Sequence, residues 1–310
     1  MGVTVKSRFG TSYRKLLLVV LLLVVVLVVS VSVYVFVIQS NVSSFEGDVT
    51  VCNEFELRSA INTAVGPLVI QLDNDIKLSS SLNVTAGKDI TLTSNRANGF
   101  YKLFGVKYDS TVVVENGGVL VLGGVIVTHV SDVRGSGVYV CPGGTLFMVD
   151  GEISGNKANN GYGGGVYNMG RFTMSGGKIS DNTAYYTSSF RGMGSYGDGG
   201  GVYNGGSFIL SGGKISGNTA YRSGGGVYSY EGFFSMSGGV IFNNNANIYR
   251  NVNTADPKFN KSGGVIFNDE VIIRTIICIA LIIGVIAFLF LFFKKRGASV
   301  EKNFVSQFDG

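Results

Sequence analysis

Between residues 135 and 246 the apolar positions recur as a block. Gly163-Gly-Gly-Val-Tyr-Asn168, Phe172-Thr-Met-Ser-Gly-Gly-Lys-Ile-Ser180 and Asn182-Thr-Ala184 return as Gly199 to Asn204, Phe208 to Ser216 and Asn218 to Ala220. A third copy runs from Gly224 to Ala246, and a more divergent one from Gly135 to Ala158. The leading valines, Val138, Val166, Val202 and Val227, stand 28, 36 and 25 residues apart. Almost all of that variation falls between the Asn-x-Ala end of one copy and the Gly-rich start of the next. A period of roughly 20–50 residues is the mark of a repeat architecture.

Inside a copy, Phe172 and Met174 alternate with Arg171 and Thr173, the period of two that puts one pair on each face of a strand. Leu146 and Met148, Phe208 and Leu210, and Phe234 and Met236 fill the same columns, and Ile153, Ile179, Ile215 and Ile241 form another after a glycine turn. Three short strands per copy are predicted. A unit this small cannot bury its apolar face alone, so the copies must stack. The strands follow one another too closely for crossover helices, and each meets its counterpart one copy later, in parallel and about 4.8 Å away. The predicted fold is therefore all-β, a single-stranded parallel β-helix with coils of about 25 residues. A leucine-rich horseshoe needs a Leu-x-x-Leu-x-Leu pattern that is absent, and a propeller blade needs roughly 40 residues and four strands.

Gly118 to Ile126 reads as a shortened copy, with Leu120, Leu122 and Ile126 in the expected columns. Val69 to Leu72, Ile76 to Leu78, Leu82 to Val84 and Ile90 to Thr93 read as earlier coils. Ahead of them, residues 53–65 place Phe55, Leu57, Ile61 and Val65 near one helical face, with Asn53 as N-cap and Glu56 three residues on. This predicts a short helix capping the open end of the stack.

Two columns carry candidate functions. Asn156, Asn182, Asn218 and Asn244 align, and stacked asparagines can hydrogen-bond from coil to coil as a structural ladder. A metal site at that column would need carboxylates at matching positions, and there are none. Tyr139, Tyr167, Tyr203 and Tyr228 follow the leading valines, so they point outward when the valines point in. They are the candidate ligand-binding residues, since aromatic faces suit sugar rings and interfaces. The plainer reading is that they stabilise neighbouring strands. The Tyr-, Ser- and Gly-rich loop from Tyr185 to Asp198 is a second candidate.

Beyond the repeats lie two uncharged apolar runs, Leu16 to Ile38 with 23 residues and Thr275 to Phe293 with 19. Each is long enough to cross a bilayer core of about 30 Å as a helix. Lys6, Arg8, Arg14 and Lys15 precede the first, and Lys294, Lys295 and Arg296 follow the second, which places both ends in the cytoplasm. The predicted organisation is a basic cytoplasmic N-terminus (1–15), a span (16–38), a linker (39–48), an extracellular β-helix (49–268), a second span (275–293) and a cytoplasmic tail (294–310). The first span is either a retained signal-anchor or a cleaved signal peptide; its length and the lack of an Ala-x-Ala site favour retention.

Composition changes this picture little. Glycine supplies 46 of 310 residues, about twice ordinary usage, and with 3 prolines a collagen or Pro-rich linker reading fails. The net charge of +5 sits in the flanks, because residues 39–270 hold 16 basic and 18 acidic groups; no nucleic-acid partner is expected. Asn41, Asn83 and Asn260 open glycosylation sequons in the outer region. Cys52 and Cys141 are the two cysteines outside the spans, and their proximity is open.

The segment Glu56-Leu-Arg-Ser-Ala-Ile61, with Ile76-Lys-Leu78, Gly87 to Ser94 and the Gly-Gly-Gly-Val-Tyr-Asn copies, resembles the adhesin-like, pectin-lyase-like β-helix proteins of microbial surfaces. Their fold is a right-handed parallel β-helix. Gly238-Gly-Val-Ile-Phe-Asn-Asn-Asn245 is similar to the motifs of polymorphic outer-membrane proteins, although those end in a β-barrel and this chain ends in an apolar helix. The resemblance implies the fold more than the function, since this scaffold carries lyases, hydrolases and passive adhesins.

Clustered carboxylates, which a lyase or hydrolase needs, are not apparent. Asp150, Glu152, Asp181, Asp198 and Glu231 occupy no common column, and His129, the sole histidine, reads as a strand-edge or surface residue. Gly194 to Tyr203 resembles a single calcium-binding nonapeptide, but such sites need tandem copies. No catalytic residue, metal or cofactor is expected. The expected function is that of a membrane-anchored, adhesin-like protein at the cell surface, binding polysaccharide or another surface through the side of the β-helix. The alternatives are a membrane-tethered carbohydrate-active enzyme and a passive envelope protein.

Overall fold

The computed structural model of the chain describes residues 47–94, 99–105, 109–130, 135–159, 161–186, 197–254 and 259–267. Both predicted spans, Asn41, both predicted cytoplasmic ends and positions 187–196 of the Tyr185 to Asp198 loop lie outside the described residues. Among the described residues no helix is long and apolar enough to cross a membrane.

The described chain is an all-β parallel β-solenoid of about 7 turns, with one short helix near its start. A seven-stranded sheet stacks Leu82–Val84, Val112–Val114, Val138–Val140, Val166–Asn168, Val202–Asn204, Val227–Ser229 and Val252–Thr254, all parallel. A 15-stranded sheet carries the other two predicted rows. In the first row, Ile90, Leu120, Leu146, Phe172, Phe208, Phe234 and Phe259 lie in register. In the second, Ile76, Leu103, Val127, Ile153, Ile179, Ile215, Ile241 and Ile266 do. Identical side chains stack on themselves at strand spacing, so the core is a set of columns. The phenylalanine column has ring centroids 4.7, 5.0 and 4.9 Å apart from Phe172 to Phe259.

Three details differ from the sequence expectation. A fourth segment joins each of the later coils: Lys157–Ala158, Thr183–Ala184, Thr219–Ser223 and Asn245–Ile248 form a four-stranded sheet of their own. Two of these strands have two residues each, too few to show an alternation. The isoleucine column is filled in the shortened copy by Val127, which pairs with Ile153, while Ile126 pairs with Glu152 and points outward. Ile153 stands five positions after Met148, and Val127 five positions after Leu122.

The helix α1, Glu54–Thr63, is capped by Asn53, whose side chain accepts from the Glu56 N–H at 3.0 Å. It buries Leu57 and Ile61, but Phe55 is 83% and Val65 101% exposed. At about 100° per residue Phe55 lies some 200° round the helix from Leu57, on the opposite side. Val65 falls beyond the helix end, so the inward face is Leu57, Ala60, Ile61 and Ala64.

The triple glycines fix how closely the coils approach. A Cβ on Gly201 would stand 2.5 Å from the Gly226 carbonyl oxygen and 3.0 Å from Asn218 Nδ2 and the Ile215 methyl. The third glycine of the triplet is thus demanded by space in the stack.

Candidate functional site

Alternation along Val-Tyr-Asn drives valine inward and tyrosine outward in each coil. The tyrosine column therefore reads, rung by rung, Asn83, Val113, Tyr139, Tyr167, Tyr203, Tyr228 and Asn253. Tyr139 stacks on Tyr167 at 4.9 Å, Tyr167 meets Tyr203 edge-on at 5.4 Å, and Tyr203 lies 5.5 Å from Tyr228. Two tyrosines outside the column extend it. Tyr162, from the preceding glycine turn, wedges against Tyr167 at 5.8 Å and Tyr203 at 4.8 Å, and Tyr230 stacks on Tyr228 at 6.3 Å. The result is six rings in one contiguous strip on an outer face, each of the four column tyrosines half-buried by its neighbours. Burial raises the phenol groups of Tyr139, Tyr167, Tyr203 and Tyr228 above their ordinary range, Tyr203 most of all. They stay neutral hydroxyls into alkaline solution.

Beside the strip, the Asp198 carboxylate is fully buried and accepts from Arg222, with Nε 2.9 Å from Oδ1 and Nη2 on Oδ2. The hydrogen bond that Arg222 donates to Asp198 is the leading cause that holds the guanidinium charge firmly. In the nonapeptide-like stretch, that acid is committed to an arginine. Among the described residues no group of three or more His, Cys, Asp or Glu side chains is placed to hold a metal ion.

The aligned asparagines are fully or almost fully buried. Asn156 Nδ2 donates to Asn182 Oδ1 at 2.9 Å, Asn182 Nδ2 to Asn218 Oδ1 at 3.0 Å, and Asn218 Nδ2 to Asn244 Oδ1 at 2.9 Å. Each oxygen also accepts the backbone N–H of the preceding ladder residue, at 3.0–3.1 Å. Asn251 extends the ladder by accepting from Asn244 at 3.0 Å. His129, expected near the surface, is only 7% exposed and stands at the head of this ladder, with Nδ1 2.9 Å from Asn156 Oδ1.

A second buried ladder has no counterpart in the sequence reading. Asn168 Nδ2 donates to Asn204 Oδ1 at 2.7 Å, and Asn204 Nδ2 to Ser229 Oγ at 2.9 Å, on the inward side of the tyrosine sheet. The signal was there: the third residue of Val-Tyr-Asn faces inward like the first, and earlier coils hold Val84, Val114 and Val140 in that position. A polar residue in an inward column requires a polar partner one coil away.

Of the sequon asparagines, Asn83 and Asn260 are both exposed, and Asn83 donates to Glu115 at 2.9 Å. Cys52 and Cys141 are free thiols; Cys52 is exposed and donates to Glu56 Oε2 at 3.3 Å. Comparison with protein-family models, curated proteins and solved structures gives no match.

Proposed function

We propose that this chain is a membrane-anchored cell-surface protein of the adhesin-like type, whose solenoid binds polysaccharide through the tyrosine strip without catalysis. The observation that supports this reading most is the contiguity of six tyrosine rings on one outward face. An aromatic face presents apolar area at low entropic cost, and a sugar ring has apolar C–H faces to lay against it. The neutral tyrosine hydroxyls supply donors and acceptors for the sugar's own hydroxyls. Rings repeated along a rigid column offer a polymer several weak contacts at once, and linked contacts add up to avidity. The pectin-lyase-like resemblance and the two apolar runs support surface display. Retention of the detergent-solubilised chain on immobilised polysaccharides and cell-wall fractions tests the reading, beside Tyr167, Tyr203 and Tyr228 changed together to Ala. Selective retention lost in the triple variant, with the β-rich circular dichroism kept, is the expected result. Equal retention of both proteins, or of neither, sinks it.

A further inference from the structure

Asn83 stands at the open end of the tyrosine column. The column runs Asn83, Val113, Tyr139, Tyr167, one residue per coil, so Asn83 lies two coils, about 10 Å, from Tyr139. Among the described residues Tyr139 has one ring partner, Tyr167, stacked on one face at 4.9 Å with 18° between the planes. The other face of Tyr139 therefore looks back along the column toward Asn83, across the rung that Val113 occupies. Val113 is half-buried and much smaller than the tyrosines that hold this place in the coils that follow, so it leaves a step one coil thick against the ring. Asn83 also opens the sequon Asn83-Val84-Thr85. It points outward from the extended strand Leu82–Val84, alternation puts Thr85 on the same side, and both side chains are exposed. An amide nitrogen carries two hydrogens, and Asn83 Nδ2 uses one to donate to Glu115 Oε1 of the next coil at 2.9 Å. A sugar in place of the second hydrogen leaves that bond intact, and the bond holds the nitrogen toward the Val113 coil. The sequon at Asn260 has no such seat: the next two residues along its column are Ser235 and Ile209.

We propose that Asn83 carries an N-linked saccharide whose first ring seats over Val113 against the open face of Tyr139, so that the protein's own glycan closes this end of the strip. This rests on the surface display proposed above, since such transfer belongs to the outer side of the membrane. In the transfer, Asn83 Nδ2 bonds to the anomeric carbon of a saccharide carried on a lipid diphosphate. The anomeric C–O bond breaks, the diphosphate leaves with the electron pair, and the amide gives up one proton. The reaction fits the chain as it emerges, before Asn83 is held in its strand. Once the coils close, the sugar's C–H face meets the aromatic face of Tyr139 and continues the stack that Tyr139 and Tyr167 begin.

Mass spectrometry of the full-length chain taken from the membranes of its own cells reads the site. The peptide that holds Asn83 should carry sugar mass, and Thr85→Ala, which destroys the sequon and leaves the Asn83 amide in place, should remove it. Nuclear magnetic resonance of the same protein in detergent reads the seat. Protons of the first sugar should move upfield in the folded chain relative to the denatured one, and Tyr139→Leu should abolish that shift while the sugar mass stays. A bare Asn83 overturns the assignment: alone when a membrane-impermeant maleimide reaches Cys52 on intact cells, and together with surface display when that thiol is sealed inside. Sugar protons unmoved by folding, or moved equally without the tyrosine ring, overturn the seat. The comparison of folded with denatured unaltered protein decides the matter however the Tyr139 variant folds. Neither readout depends on whether the strip retains polysaccharide, so failure of that reading is seen separately.

Discussion

Asn182 illustrates how much a single side chain carries when coils stack. Its oxygen accepts from both the backbone and the side chain of Asn156, while its nitrogen donates to Ile153 O at 2.8 Å and to Asn218. Asn182→Ala leaves the buried Asn156 N–H without an acceptor and should cost about 2–4 kcal/mol, read as a lowered denaturant midpoint. Asn182→Asp keeps the accepting oxygen but turns a second one toward Ile153 O and Asn218 Oδ1. It should destabilise at least as much at neutral pH and recover part of the loss in acid, where a protonated carboxyl donates again. Glu152 offers a second pH test. Burial works to raise its carboxyl, yet hydrogen bonds from Ser180 at 2.6 Å and Lys178 at 3.1 Å outweigh it and hold the group below its ordinary range. With the folded value lowered, its stabilisation is present above the ordinary carboxyl range and lost as pH falls through the lowered value. Glu152→Gln should flatten the acid side of the stability curve, by under about 1 kcal/mol because the pair is partly exposed. An unchanged acid limb contradicts this assignment.

At the scale of the coil, the core is a set of self-stacked columns, so damage at one rung is felt by the rungs on either side. Phe208, fully buried between Phe172 and Phe234, should cost about 3–5 kcal/mol when replaced by Ala. Gly201→Ala forces a methyl into the Gly226 carbonyl and should cost about 1–3 kcal/mol, whereas Gly66→Ala, with open space around it, should be close to neutral. Equal effects at the two glycines would contradict a stack that is tight at its triplets. The columns were legible in the chain because period-two alternation and a repeated block state the same register twice. The Asn-to-Asn alignment was legible for the same reason. What was missed is physical in origin. Phe55 is apolar yet points away from the core, since hydrophobicity does not reveal which side of a short helix is inward. The Asn168 ladder was hidden because its polarity breaks the rule that inward positions are apolar, and the rule gives way wherever the next coil supplies a partner. His129 was read as a surface residue because two of its three partners, the Asp109 carbonyl and Thr111, come from a corner that carries no repeat motif.

Among the described residues, seven rungs at about 4.8 Å make a stack of about 30 Å. Under the proposed function the tyrosine strip is displayed outside the cell. Cys52 reports on that directly: it is exposed, lies in the first coil, and is one of 3 cysteines in the chain. Glu56 raises its thiol through a hydrogen bond and through its charge, so the reactive thiolate is scarce and labelling is best run in mildly alkaline buffer. The deciding measurement is labelling of intact cells with a membrane-impermeant maleimide, in a chain with Cys141→Ser and Cys278→Ser so that Cys52 is the one thiol left. The account predicts that Cys52 is labelled without permeabilisation, to the same extent as after it. Labelling that appears only once the membrane is broken places the coils inside the cell and contradicts the account.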